Sequence, residues 1–169
     1  MKQVYLKQKI FTLVDRYSVF DEFQNELYTV EGKFFSIPKR HEIYDAKTST
    51  LLYTLRRVFF SFLPTFDLFD AQGNPIAHIK KRFTFLHHRI DIESSLGDYT
   101  IDGDLFGHDF ILYKSGKTVA ECHKKWLSWG DTYQITVHEE EHLSLYVALI
   151  LAIDQAIHEN KGSSGAHHH

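Results

Sequence analysis

Cysteine, proline and glycine are scarce in this 169-residue sequence, which contains one cysteine, three prolines and nine glycines. The single Cys122 excludes a disulfide within the chain, and a lone thiol is typical of a reducing compartment, so we expect a cytoplasmic protein. No glycine-rich phosphate loop or flexible interdomain linker is present. We therefore predict one domain at residues 1–161, followed by GSSGAHHH at residues 162–169, which is typical of an expression-tag remnant.

Excess positive charge is also lacking. Lys and Arg number 19 against 22 Asp and Glu, and the net charge is −3. We therefore predict no nucleic-acid partner. The first 19 residues alternate polar and apolar side chains and lack the continuous apolar core of a signal peptide.

The sequence has no hydrophobic run of membrane-spanning length. Its most apolar stretch is LSLYVALILAIDQAI at residues 143–157, which would form a helix of about 22 Å. A helix that spans a bilayer needs about 20 apolar residues, which is more than this stretch contains. We therefore predict no transmembrane segment. A helix that is apolar on every side is otherwise a buried one, and we place Leu145, Leu149, Ile150 and Ile153 in the core. Asp154 then needs a partner or a position where the helix leaves the core.

Aromatic residues, in contrast, are abundant at 15% of the chain, which favours β structure. Four segments share the pattern of an apolar pair, a polar turn and an apolar return, which is typical of hairpins. They are VFDEFQNELYTVEG, IYDAKTSTLLYTLRR, LFDAQGNPIAHIKKR and ILYKSGKTVAECHKK. In addition, YTVEGKFF at Tyr28 is echoed by YTIDGDLFG at Tyr99, which suggests two related halves. A β-barrel of many short strands would supply the apolar walls that the helix requires.

The ordered set of segments resembles the LURP-one-related family. The set is QKIFTLVDRYSVFDE, YTVEG, HEIYDA, IKKRF, YTIDGDLFGHDFILYKSGKTVAECHKKW, DTYQITV and LYVALILAIDQAI. That family shares the tubby-like fold with the tubby C-terminal domain and the phospholipid scramblases. The resemblance implies a closed 12-stranded antiparallel β-barrel around a central hydrophobic C-terminal α-helix. It also implies a link to membranes, because tubby domains bind phosphoinositides through basic residues and scramblases are membrane-associated.

Basic residues at the ends of the predicted hairpins are the candidate lipid-binding site. They are Arg56, Arg57, Lys80, Lys81, Arg82, Lys124 and Lys125. Gathered beside the apolar loop that carries Phe59, Phe60 and Phe62, they would suit anionic headgroups. Neighbouring residues of a strand face opposite sides, so adjacent basic residues cannot all point one way. The alternative is a solvated barrel exterior.

Catalytic signals are sparse. The string HEEEH fits the H-E-x-x-H zinc pattern by letter, so His138 and His142 are weak candidate metal ligands, and a charged helix start is the preferred interpretation. Cys122 with His123 or His108 would be a nucleophile, but a buried strand cysteine is the commoner case. We predict a non-catalytic binding or regulatory domain, without a cofactor, that docks on anionic phospholipid at the membrane periphery or on a protein partner. The alternatives are a metal-dependent hydrolase that uses HEEEH and a scramblase-like activity.

Overall fold

The computed structural model describes residues 1–11, 14–33, 39–83, 88–127 and 130–163. Twelve strands are followed by a 3-10 helix (Glu140–His142) and one long helix, α1 (Leu143–Ser163). The strands are β1 (Lys2–Phe11), β2 (Val14–Phe20), β3 (Glu26–Lys33), β4 (Arg40–Asp45), β5 (Leu51–Arg57), β6 (Thr65–Asp70), β7 (Pro75–Phe83), β8 (His88–Ser94), β9 (Tyr99–Asp104), β10 (Asp109–Lys114), β11 (Lys117–Leu127) and β12 (Gly130–Val137).

The strands close into one barrel. Each strand lies antiparallel to its sequence neighbours, and β1 pairs with β12 to complete the circle. The predicted 12-stranded antiparallel barrel with a C-terminal helix is therefore confirmed. One junction is thin: among the described residues, β8 and β9 pair only through Ile92 and Tyr99. We call this junction the seam, and a cleft of about 540 Å³ lies along it.

The two sequence echoes occupy matching places in the barrel. Tyr28 lies in β3 and Tyr99 lies in β9, so the segments are six strands apart, half way around the wall. The hairpins that follow them also match, because the strand register shifts just before Tyr44 in one and just before Tyr113 in the other. This placement fits the two related halves that the sequence suggests.

Three hairpins have aspartate-capped turns; those at Asp21 and Asp70 bond the same two turn positions, and that at Asp45 differs by one residue. The Oδ1 atoms of Asp21, Asp45 and Asp70 each accept two backbone N–H groups of the turn, at 2.8–3.0 Å. Hydrogen bonds from the turns hold the pKa of all three carboxyls below the usual value. Gln24 and Gly73 both adopt a positive φ in these turns, at 65° and 86°. The shared turn explains why the hairpin sequences look alike.

Helix α1 fills the barrel. Its residues 145–153 are all buried, with Leu145, Leu149, Ile150 and Ile153 between 0% and 8% exposed. They pack against inward-facing wall residues such as Leu55. Alternation along each strand supplies this apolar lining, so the helix that is apolar on every side meets apolar side chains on every side. In the described part of the chain, no helix combines the length and apolarity needed to cross a membrane.

The barrel has two different ends. The turn end holds the aspartate-capped turns and the beginning of α1 at Leu143; the helix-exit end holds the β5–β6 loop, the β9–β10 turn and the C-terminal half of α1. The helix runs on to Ser163, past residue 161. The domain boundary there stays a prediction, and residues 164–169 of the expected tag remnant lie outside the described residues.

Candidate functional site

The basic residues singled out in the sequence all lie toward the helix-exit end. They are Arg56 and Arg57 in β5, Lys80, Lys81 and Arg82 in β7, and Lys124 and Lys125 in β11. These three strands run in the same direction, from the turn end to the helix-exit end, which is why their late residues share one end. Only β6 separates β5 from β7, whereas β11 lies four strands from β7. The fold thus brings the first five residues together and leaves Lys124 and Lys125 elsewhere on the circumference.

Two of the five point inward and attach the wall to the helix. Lys81 is 2% exposed, and its Nζ donates to the backbone carbonyl of Ile157 at 3.4 Å. Burial lowers the pKa of Lys81, and the nearby charge of Glu159 opposes that shift. Arg57 donates from Nε to the Glu159 carboxylate at 2.5 Å and from Nη1 to the Val58 carbonyl at 2.6 Å. Neither side chain is placed to meet a headgroup.

The other three point outward. The Arg56 guanidinium lies over the Phe69 ring at 4.6 Å, and Arg82 forms an ion pair with Asp91. Lys80 lines an open groove of about 490 Å³ on the outside of the barrel. The alternation expected along a strand therefore divides the adjacent basic residues between the interior and the surface.

A loop rich in phenylalanine forms the far wall of that groove. We call residues 58–64 the phenylalanine loop. Phe60 is 92% exposed, Phe62 is fully exposed and Phe59 is more than half exposed. Phe60 and Phe62 line the groove together with Lys80. The loop is fixed at its base by two backbone bonds, from Val58 N to the Thr65 carbonyl at 2.8 Å and from Lys81 N to the Pro64 carbonyl at 2.9 Å. Exposed aromatic rings are thus held beside an outward-facing ammonium group.

A second cluster lies at the same end, inside the barrel wall. The Nε2 atom of His108 lies 2.5 Å from the Asp154 Oδ1 atom, and His158 Nδ1 lies 3.0 Å from it. The His108 ring stacks between Tyr133, at 4.1 Å, and His158, at 4.7 Å. Burial by itself raises the pKa of Asp154, but hydrogen bonds and charge from the two histidines outweigh it, and the pKa is lowered.

Sequence reasoning left Asp154 without a named partner and so missed this cluster. His158 follows Asp154 by four residues, which places both side chains on one helix face. That half of the cluster was readable from the sequence. His108 comes from the β9–β10 turn, 46 residues from Asp154, and only the closed barrel brings that turn to the helix.

Cys122 is unsuited to nucleophilic catalysis. Its side chain is buried in β11, and burial, with smaller effects from the charges of Asp154 and Asp109, raises the pKa of the thiol to about 12. The thiolate that a nucleophile needs is therefore negligible at neutral pH. His123 instead pairs through Nδ1 with Asp109 at 2.6 Å.

The HEEEH string does not form one helical face. His138 lies in a bend after β12, and its Nε2 atom is 2.8 Å from Glu121 Oε2. His142 ends the 3-10 helix, and its ring meets the Tyr146 ring edge-on at 6.4 Å. Among the described residues, the ligand atoms of His108, Asp154 and His158 converge within 4.8 Å, and His138 and His142 are not part of that group.

Comparisons with known proteins agree with this architecture. Residues 2–154 match the sequence model of the LURP-one-related family. An uncharacterised Bacillus subtilis protein, YxjI, is 28% identical over 164 residues, which cover 97% of this chain and 99% of that protein. A crystal structure of an Arabidopsis thaliana protein is similar with a TM-score of 0.61 and 15% identity, covering 92% of this chain and 91% of that one. The last comparison concerns the fold alone.

Proposed function

The chain belongs to the LURP-one-related family, and from that premise we propose that it is a non-catalytic module that docks on anionic membrane lipid with its helix-exit end. The observation that carries the proposal is the phenylalanine loop, whose exposed Phe60 and Phe62 share one groove with Lys80. Exposed aromatic rings next to a cation suit the boundary between headgroups and acyl chains.

Two contributions add in this geometry. Partial insertion of Phe60 and Phe62 removes apolar surface from water and contributes about 1 kcal/mol for each ring, less than full burial would. A lysine near an anionic surface contributes about 1 kcal/mol more. Neither contribution alone gives useful affinity, but the loop and Lys80 are held on one face and act together.

The opposite end supports a single docking orientation. The turn end carries Asp21, Asp45 and Asp70, whose low pKa values keep them ionised. An anionic membrane repels these carboxylates, an effect that Lys47, Lys114 and Lys117 at the same end reduce, and it attracts the outward-facing Arg56, Lys80 and Arg82. Arg57 and Lys81 are assigned to holding the helix, so they are removed from the lipid-contacting set.

Vesicle co-sedimentation tests the proposal. The protein carries alanine at His167, His168 and His169, and the vesicles contain phosphatidylcholine with or without phosphatidylserine, at low and high salt. We expect binding to the anionic vesicles that weakens with salt. Replacing both Phe60 and Phe62 by serine should weaken binding by about 30-fold, and Lys80→Ala by about fivefold.

Two matched controls distinguish docking from general loss of structure. Phe23 is 80% exposed, but at the turn end, so Phe23→Ser should leave vesicle binding unchanged. Lys81 follows Lys80 in the same strand but faces the interior, so Lys81→Met should also bind normally. If Phe23→Ser weakens binding as much as the loop variants, or if no vesicle is bound, the proposal fails. A protein partner for the phenylalanine loop would then be the next candidate.

A further inference from the structure

The side chains of His108, Asp154 and His158 meet where α1 leaves the barrel, and we propose that they form a binding site for one divalent transition-metal ion, with zinc as the best match. Each residue offers one ligand atom, and the three atoms lie within 4.8 Å of one another. This site is independent of lipid docking, because none of its residues belongs to the phenylalanine loop or its groove.

The donor set has the chemistry of a transition-metal centre. Two imidazole nitrogens and one carboxylate oxygen suit zinc and its neighbours, and they do not suit calcium or magnesium, which prefer oxygen. Zinc bonds of about 2.0–2.2 Å separate tetrahedral ligand atoms by about 3.3 Å. The existing distances to Asp154 Oδ1 are 2.5 Å from His108 and 3.0 Å from His158. The three ligand atoms must therefore move apart to make room for an ion.

The surroundings hold the donors in place. The Asp154 side chain is 14% exposed in an otherwise apolar stretch of helix, so its charge requires strong compensation. His108 is held by stacking on Tyr133 at 4.1 Å. His108 has a positive φ of 54°, a backbone conformation that glycine adopts more readily than histidine. The turn places His108 at this position, and not its neighbour Gly107, so that the imidazole ring points toward the helix.

Binding of an ion requires one ring to turn. The two imidazole planes are parallel within 3° in the structure, and one ion cannot lie in both planes at once. His158 is 28% exposed, compared with 8% for His108, so the His158 ring is the one with room to rotate. The ion takes the place of the protons on the two imidazole nitrogens that face Asp154. Each histidine binds as a neutral imidazole with its proton on the other ring nitrogen, and a histidine that starts doubly protonated releases one proton to solvent. Three protein ligands leave the fourth tetrahedral position to water.

Two nearby positive charges have partners other than Asp154. Lys81 and Arg57 contact Ile157 and Glu159 on the same helix. The Lys81 ammonium also lies 5.6 Å from the Phe106 ring, in the same turn as His108, whereas its hydrogen bond is made to the Ile157 carbonyl. The hydrogen bonds of Lys81 and Arg57 go to Ile157 and Glu159, and the carboxylate of Asp154 bonds to the two histidines.

Zinc titration of the full chain tests the assignment. His167, His168 and His169 are replaced by alanine in every sample, so that the C-terminal histidines bind no metal, and the protein is first stripped with a chelator. Calorimetry should show one zinc ion per chain, and zinc should raise the melting temperature. Cobalt in place of zinc should give the intense visible absorption of a four- or five-coordinate site.

Ligand variants and a control complete the test. Loss of a residue that only supports a metal ligand weakens metal binding by about 10–100-fold. His158→Gln and His108→Asn each remove a ligand itself, so each should weaken zinc binding by more than that. His138→Gln removes a histidine at the turn end and should bind zinc normally. The proposal is overturned if stripped protein binds no stoichiometric zinc, or if zinc binds equally well to the His158→Gln and His108→Asn variants. Should His108→Asn fail to fold, His158→Gln and the cobalt spectrum of the parent protein still decide the matter.

Discussion

Replacing Asp154 by alanine should destabilise the protein far more than removing a similar carboxylate from the surface. The change leaves the N–H group of His108 without its acceptor and removes the carboxylate charge beside His158, whose Nδ1 keeps its 2.9 Å hydrogen bond to the backbone carbonyl of residue 154. An unpaired buried donor costs about 1–3 kcal/mol, and breaking a buried ion pair costs about 3–5 kcal/mol. Partial rehydration of His158, which is 28% exposed, places the expected loss near the lower bound, at about 3 kcal/mol.

Asp67→Ala is the matched control. Asp67 Oδ1 lies 2.6 Å from His78 Nδ1, but about a third of each side chain is exposed. Exposed pairs contribute about 0–1 kcal/mol. Urea unfolding followed by circular dichroism, with a chelator present to exclude metal, measures both losses. In thermal unfolding, Asp154→Ala should lower the melting temperature by about 6–12 °C.

The pH dependence gives a second readout for the same variant. The pKa of Asp154 is lowered below its ordinary value of 3.8, so the carboxylate stabilises the fold in full above about pH 4. That stabilisation is lost as the pH falls through the lowered folded-state pKa. The difference in unfolding free energy between the parent and Asp154→Ala should therefore shrink below about pH 4. Equal losses for the Asp154 and Asp67 variants, or a difference unchanged by acid, would refute the reasoning.

Two further predictions concern the turns and the thiol. Glycine adopts a positive φ without strain, whereas other residues do not. Gln24→Gly should therefore raise the free energy of unfolding by about 1 kcal/mol in the same urea assay, and Gly73→Ala should lower it by a similar amount. Burial raises the pKa of the Cys122 thiol to about 12, so the reactive thiolate is scarce in the folded protein. An aromatic disulfide reagent should therefore react with Cys122 at least about 100-fold faster in urea than in the folded protein. Rapid labelling of the native state would contradict this.

The architecture was accessible from the sequence because its signals are local. Apolar pairs flanking polar turns indicated the hairpins, and the all-round apolarity of residues 143–157 required a surrounding wall. The candidate site was less accessible, because it depends on strand direction and on facing. Lys80 and Lys81 are neighbours in the sequence, yet one lines a surface groove and the other is buried against Ile157. The partnership of His108 with Asp154 depends on closure of the whole barrel.

The seam between β8 and β9 has a consequence for how the molecule is assembled. The central helix follows the wall in the chain, so a wall that closes last at one weak junction can take the helix in from the side. Separating β8 from β9 breaks a single residue pair among the described residues, Ile92 with Tyr99, whereas every other junction has at least five pairs. The seam is therefore the junction whose opening breaks the fewest strand pairs. We expect the other eleven junctions to form first and the helix to enter between β8 and β9. In the native state, hydrogen exchange should be fastest on the β8 and β9 edges that face each other.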